Sequence, residues 1–379
     1  MEWNPAALGE TRYQLQFSVT PATLKMTSDD FTVKDLVEII RDILSEEERR
    51  SLLDKVNDGF LTTGLHLRGG AHGAIGSNGG GASVRLHVDG KFSSDAVRLL
   101  LLEDSEGEGK GEGEGRYSLK GTELESVLVG DYFISSVYSD PWLAKVLHIT
   151  GFHMGGSLRF FRGLDYIKAV VPGSGVLQIV KDSAGGAKRI VSGGNIVTYQ
   201  SQSGIGMAVD LGIYLRLTPN FAIDASIIDL GRMWWFEPKL VNYQLFIEPT
   251  DNTCRYMKKD EKPVDMRLTW DPPTTFRAGM TGAVGQKALW TLQYARPLGS
   301  SGAGKGEWVF GTQVKSFGIM PLRMAAKYSE ATNDLKFSLG LGVELGPLTL
   351  DIGTSDLGGL MGFGNEGHVS VTTGLRFGW

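Results

Sequence analysis

Only one cysteine, Cys254, is present, which excludes an internal disulfide framework and a zinc site built from thiolates. There is no run of about eighteen apolar residues, so a transmembrane helix is excluded as well. The six histidines (His66, His72, His87, His148, His153 and His368) never fall at H-x-x-x-H or H-E-x-x-H spacing. No nucleophile, base and orienting residue form a recognisable set. No catalytic residue, metal or cofactor is therefore expected, and the chain reads as a non-enzyme. The formal net charge of -5 argues against nucleic acid as the main partner. Met1-Glu2-Trp3-Asn4 supplies neither the basic nor the apolar region of a signal peptide; the expectation from the rest of the chain is that a leader stood upstream.

Glycine, by contrast, is abundant: 52 of 379 residues, about twice the usual share of roughly 7%. The glycines have no period of three, which excludes collagen, and Val, Ile, Leu and Phe are too frequent for a disordered chain. A mean hydropathy of -0.08 leaves a membrane open, because barrel strands alternate lipid-facing and lumen-facing residues.

Alternation of period two is clearest toward the C-terminus. Val369, Val371, Thr373, Leu375, Phe377 and Trp379 share one face, opposite Ser370, Thr372, Gly374, Arg376 and Gly378. Leu335, Phe337, Leu339, Leu341, Val343 and Leu345 alternate with Lys336, Ser338, Gly340, Gly342 and Glu344. Odd positions from Ile205 to Leu217 oppose Gly206, Ala208, Asp210, Gly212 and Arg216. A soluble sandwich also alternates, but its polar face is rich in Thr, Lys and Glu. Here the second face mixes small residues with sparse charges, as a crowded lumen requires.

Strands are expected near 12–20, 61–76, 79–91, 146–161, 163–181, 189–217, 220–236, 272–284, 286–297, 306–317, 319–329, 333–345, 347–354 and 366–379. Tight and long connections then alternate, the pattern of a transmembrane barrel with short turns on one side and long loops on the other. The expected fold is all-β: one domain over 1–379, a closed antiparallel barrel of about fourteen strands, with helical insertions at 21–60 and 92–145 in the first two outer loops. In the first, apolar spacing from Thr32 to Asn57 predicts helix, interrupted by the capping box Ser45-Glu46-Glu47-Glu48. In the second, a short helix through Leu99–Leu102 precedes the low-complexity tract Glu106–Gly115, read as a mobile loop, and 123–146 is read as an aromatic helix.

Trp3-Asn4-Pro5-Ala6-Ala7-Leu8 resembles the N-P-A element of FadL-type outer-membrane transporters and their TraF-like and PorV-like relatives. The order of first strand, helical insertion ending in Asp58-Gly59, strand pair, Gly90-Lys91 and second insertion is similar to the TraF-like branch, as is Val209-Asp210-Leu211-Gly212 followed by Ala225 to Gly231. The glycine- and alanine-rich stretch and signal peptide that normally precede the element are missing from this sequence. The resemblance implies a bacterial outer-membrane location and passive transport of a hydrophobic small molecule. The alternative it implies is a non-conducting structural or secretion-shuttle barrel like the PorV relatives. Gly374, Phe377 and Trp379 look like the terminal signal read by the barrel-assembly machinery, which with outer-membrane lipid completes the expected partners.

Charges on the small-residue face are the lumen-lining candidates: Asp210, Arg216, Asp224, Arg277, Lys315, Arg323, Lys327, Lys336, Glu344, Asp351 and Arg376. They would line a path, or pair as a plug filling a narrow barrel, and pairing is favoured. Tyr132, Phe133, Tyr138 and Trp142 would form a ligand-capture groove with Ile39, Ile40 and Ile43, or the two insertions would pack on each other as a lid. Trp234, Trp235, Trp290, Trp308 and Trp379, near strand ends, fit interfacial girdles. A soluble β-rich binding protein is a third reading, which a contiguous apolar belt would defeat.

Overall fold

The computed structural model describes the chain apart from residues 1–3, 11–14, 29–30, 32–34, 36–45, 57–59, 103–114, 174, 182–187, 193, 248–253, 286, 299–304, 316–318, 331–332, 359–368 and 379. Fourteen antiparallel strands close on themselves. They are β1 (Leu15–Ser28), β2 (Phe60–Ile75), β3 (Asn78–Ser93), β4 (Glu123–Ser139), β5 (Gly151–Val170), β6 (Ser203–Thr218) and β7 (Phe221–Phe236), followed by β8 (Thr275–Val284), β9 (Ala288–Pro297), β10 (Glu307–Lys315), β11 (Pro321–Ser329), β12 (Asp334–Leu345), β13 (Leu348–Thr354) and β14 (Val369–Gly378). Closure comes from β14 on β1, where Phe377 lies opposite Phe17 and Arg376 opposite Ser18. A closed ladder leaves no edge whose N–H and C=O groups would meet hydrocarbon.

The alternation of the C-terminal strands is realised as read. On β12, Leu335, Phe337, Leu339, Leu341 and Leu345 stand exposed on the outer wall, and β6 presents Ile205, Met207, Val209, Leu211 and Ile213 in the same way. Exposed apolar side chains in unbroken ladders on opposite sides of the barrel form a belt whose only compatible solvent is lipid. The twelve residues of β12, at about 3.4 Å each and a tilt of about 40°, cover roughly 30 Å, the thickness of a bilayer core. No helix among the described residues is long and apolar enough to cross a membrane, which has no bearing on strands. Connections at 76–77, 219–220, 285–287, 316–320 and 346–347 are short and share one end; 29–59, 94–122, 171–202 and 237–274 lie at the other.

The strand count was reached through two offsetting differences. The segment 123–146, read as an aromatic helix, is strand β4 over Glu123–Ser139 followed by a short helix, α3 (Pro141–Val146), whose first turn is capped by the Asp140 carboxylate accepting from the Leu143 N–H at 2.9 Å. Conversely, 146–161 and 163–181 are not two strands joined by a turn at 162. They are one, β5, in which Arg162 lies mid-strand and the irregularity near Leu164 is a bulge opposite Leu128 and Val129. Strand β4 hid its period because Val127, Val129 and Phe133 fill its inner face while Leu128, Tyr132 and Ile134 occupy the outer one, leaving an almost continuous apolar run. Its β-branched and aromatic content is nevertheless that of a strand. Strand β1 also runs further than 12–20, through a bulge at Pro21 and Ala22, so the first outer connection starts at 29 rather than 21.

Helices α1 (Glu46–Lys55) and α2 (Ser94–Leu102) occupy the first two long connections. Leu52, Val56 and Val97 pack with Phe31 and Leu61 into one cluster, so the two insertions pack on each other above β2 and β3. Ser45 and nearly all of 32–44 lie outside the described residues, as does the tract 106–114; Gly115 begins a short strand, Gly115–Ser118. The segment read as 189–217 divides into Lys188–Ser192, Asn195–Ser201 and β6. Asn195–Ser201 pairs with the upper part of β5 and with Lys239–Ile247, which forms a hairpin with Cys254–Pro263 above the barrel.

Candidate functional site: a divided lumen

Six consecutive strands, β2 to β7, each point one charge inward at mid-height: Arg68, Arg85, Asp131, Arg159, Asp210 and Asp229. Asp131, with no exposed surface, takes Arg85 at 2.5 Å, Arg159 at 2.8 Å and Arg68 at 3.7 Å. Arg159 also reaches Asp210 at 2.7 Å and Asp229 at 3.4 Å, and Arg85 reaches Asp229 at 3.0 Å. Ser83 donates to Asp131 at 3.1 Å, and the Asp229 N–H donates to Asp210 at 2.7 Å. Three cations and three anions balance, which is the condition for keeping so much charge out of water. The guanidinium planes lie over Phe133 (Arg159, 5.0 Å to the ring) and Phe161 (Arg85, 5.6 Å).

Above this layer Val127, Val129, Phe161, Tyr166, Ala208, Met233, Trp235 and Leu268 form a buried cluster, with Tyr199 and Trp270 packed against it. Trp235 is therefore core rather than interfacial; its neighbour Trp234 is exposed on the outer wall, like Trp308. Below the layer lies the N-terminal segment. Pro5–Glu10 is a 3-10 helix; Asn4, Pro5, Ala6 and Leu8 are buried. The Asn4 amide donates to the Ile213 carbonyl at 3.0 Å and to Asp224 at 3.2 Å, while its oxygen accepts from the Ala6 N–H at 2.9 Å. Leu8 packs on Ala74 and Val137. This seat demands glycine at two wall positions. A Cβ on Gly155 would collide with Pro5 and Ala6, and one on Gly212 with Asn4.

The other half, β8 to β14, is built differently. Its inward positions at mid-height are small (Thr291, Gly311, Ala325, Ser338, Gly340, Gly353 and Thr372), and they line a cavity of about 560 Å³. Its charges pair within the same wall: Lys315 with Glu344 at 2.6 Å and Arg323 with Asp351 at 2.5 Å below the cavity, Lys327 with Glu307 at 2.8 Å and Lys336 with Asp334 at 3.6 Å above it.

The lumen candidates thus separate. Asp210 joins the six-strand network, Asp224 anchors Asn4, and Lys315, Arg323, Lys327, Lys336, Glu344 and Asp351 belong to the wall pairs. Arg277 lies beside Ser226 and Ala295 on the inner face, and Arg216 and Arg376 lie near the short-turn end. The reading missed Arg68, Arg85, Asp131, Arg159 and Asp229 of the network, and Glu307 and Asp334 of the wall pairs. Arg68 and Arg85 sat on the glycine-rich faces of strands whose alternation was available, Asp131 was hidden by the helix reading, and Asp229 is brought inward only by a bulge.

The four aromatic candidates are not brought together. Tyr132 and Tyr138 face outward on β4, Phe133 is buried beneath Arg159, and Trp142 is exposed on α3 at the short-turn end, opposite to the insertion helices. Ile39, Ile40 and Ile43 lie outside the described residues. Gly374 faces the lumen opposite Asp351 and Phe377 faces outward, while Trp379 lies outside the described residues.

No family model matches the chain, and no curated protein matches by sequence. Among solved structures, the toluene transporter TodX of Pseudomonas putida aligns over 99% of this chain and 91% of its own at 10% identity, with a TM-score of 0.51. The toluene transporter TbuX of Ralstonia pickettii aligns over 99% and 92% at 11% identity, with a TM-score of 0.49. At such identities the TodX alignment speaks for the fold. The chain has the fold of a FadL-like β-barrel.

Proposed function

We propose that the protein is a passive transporter of hydrophobic small molecules across a bacterial outer membrane. The observation that carries this reading is the 560 Å³ cavity on the β8 to β14 side, within the roughly 300–1,000 Å³ range of ligand-sized pockets. Leu289, Val309 and small residues make up most of its lining, with Gln313 and Arg323 at one end, which suits an apolar solute without demanding a particular shape. The toluene cargo of TodX is consistent with it. The location rests on the lipid-facing belt, and the partners implied are outer-membrane lipid and the barrel-assembly machinery, which would read Gly374, Phe377 and Trp379. Entry of a fluorescent apolar probe into cells expressing the protein tests the proposal. Faster entry than in cells expressing an unrelated closed barrel of equal abundance is expected, and equal rates would overturn it.

A non-conducting structural barrel is the second reading. It is favoured by the half of the lumen that the N-terminal segment, the ion network and the aromatic cluster fill. The same measurement separates the two.

A further inference from the structure

The two sets of lumen charges differ in what they bridge. In the packed half, Asp131 and Asp229 are each shared among arginines from different strands and Asp210 is held by Arg159, so that the network runs across the interior and fills it. In the other half the pairs seen among the described residues run along the same wall: β10 with β12, β11 with β13, β10 with β11, two positions of β12, and Lys336 with Asp356 just beyond β13. None of these pairs spans the lumen, so the charges lie along the wall instead of closing it.

Solvent exposure follows that division. The inward Arg85, Asp131, Arg159 and Asp210 are essentially buried, whereas Leu289, equally inward by its pairing with Gln313, is 41% exposed. The side chains of Lys315 and Arg323 at the lower tier, and of Glu307 at the upper, each keep about a third or more of their surface. Lys336 at the upper tier is buried, but the small residues between the tiers line open space and provide the width. The small residues at mid-height suit an apolar solute, but the two tiers of ionised side chains add nothing for it. A hydrated ion does, because charged groups along a wet pore replace part of its water shell and lower the cost of passage.

We propose that the crescent beside β8 to β14 is an axial conduit for water, small ions and small hydrophilic solutes, running past the packed half of the lumen. This function goes beyond hydrophobic transport and does not depend on it. The tiers hold four basic and four acidic side chains. Arg277 and Arg376 add two basic side chains to the same inner wall, so a modest preference for anions over cations is expected.

The test uses the full chain in planar lipid bilayers under a potassium chloride gradient. Discrete conductance steps with a reversal potential displaced modestly toward that of chloride are expected. Blocking from the named wall identifies the route. In a Cys254→Ser background, Ser338→Cys places a thiol at the cavity, and a bulky cationic methanethiosulfonate reagent should cut the current by about half or more. Thr291→Cys, on a different strand, gives the same readout if Ser338→Cys does not fold. Ser157→Cys, buried on the packed half, should leave the current unchanged under the same reagent. Absence of steps above the lipid baseline overturns the conduit, and so does current insensitive to modification at both cavity positions. Entry of the apolar probe is measured separately, so failure of hydrophobic transport and failure of the conduit are distinguishable.

Discussion

Residues 60–236 and 275–378 build two halves of one barrel with the same outer wall and opposite interiors. Outside, both show exposed apolar ladders, as lipid demands. Inside, the first half buries a six-membered ion network between an aromatic cluster and an N-terminal segment, while the second leaves small residues around a cavity. The outer wall is dictated by the solvent, and the lumen is the part free to diverge. The difference in burial also sets how much each charge matters. An ion pair out of water makes its partners dependent on it, whereas a wetted pair does not.

Asp131→Ala tests that contrast most severely. It leaves Arg68, Arg85 and Arg159 short of an anion in a buried layer and is expected to cost about 3–5 kcal/mol. Asp351→Ala, which removes the partner of the half-exposed Arg323, should cost less than about 1 kcal/mol. Urea unfolding of both variants in lipid vesicles measures the two; equal costs would erase the distinction between the halves. Leu339→Arg on the shared outer wall should cost about 2–4 kcal/mol by the same measurement, irrespective of the lumen behind it. Gly155→Val, which drives a side chain into Pro5 and Ala6, should cost roughly 1–3 kcal/mol and unseat the N-terminal segment. Faster cleavage of that segment by added protease would report it, and unchanged protection would show that the seat is not tight.

The smallest effect lies outside the barrel. On the hairpin strand Cys254–Pro263, the Glu261 carboxyl is held down to about 2 by hydrogen bonds from Lys239 and Lys258, followed by their charges. Because the folded value lies below the ordinary one, the pairing is intact above about pH 4 and is lost as the pH falls through about 2. A carboxyl resonance titrating in that low range is expected, with no measurable change in barrel stability because the group lies on a surface hairpin outside the barrel. Titration at an ordinary carboxylate value would show the pairs to be absent.

The readability of the sequence follows the same division. Strands β12 to β14 could be read residue by residue, because an apolar face against a small or charged one gives a clean period of two. Strand β4 could not, because the packed half puts apolar residues on both faces and the period disappears. Of the wall pairs, Lys315 with Glu344 and Arg323 with Asp351 were foreseeable as charges on a small-residue face, whereas Glu307 and Asp334, at the strand ends, were not among the candidates. The network was less so: its ion pairs join positions 28 to 144 residues apart, and no local pattern announces which inward charges will meet. Alternating short and long connections survived both errors, since exchanging a helix for a strand and a false turn for a continuous strand conserves the number of crossings.

The bulge in β7 has a consequence for that strand as a whole. Ile228 and Asp229 together stand against Asp210, and Asp229 takes a left-handed backbone with φ 56°. Before it, Ala222, Asp224 and Ser226 point inward; after it, Asp229, Gly231, Met233 and Trp235 do. The extra residue is a parity switch. Deleting one residue there would turn Met233 and Trp235 out to lipid, bring Arg232 and Trp234 inside, and take a carboxylate from the ion network. In a membrane barrel, a single inserted residue thus decides which of two adjacent tryptophans belongs to the core and which to the bilayer.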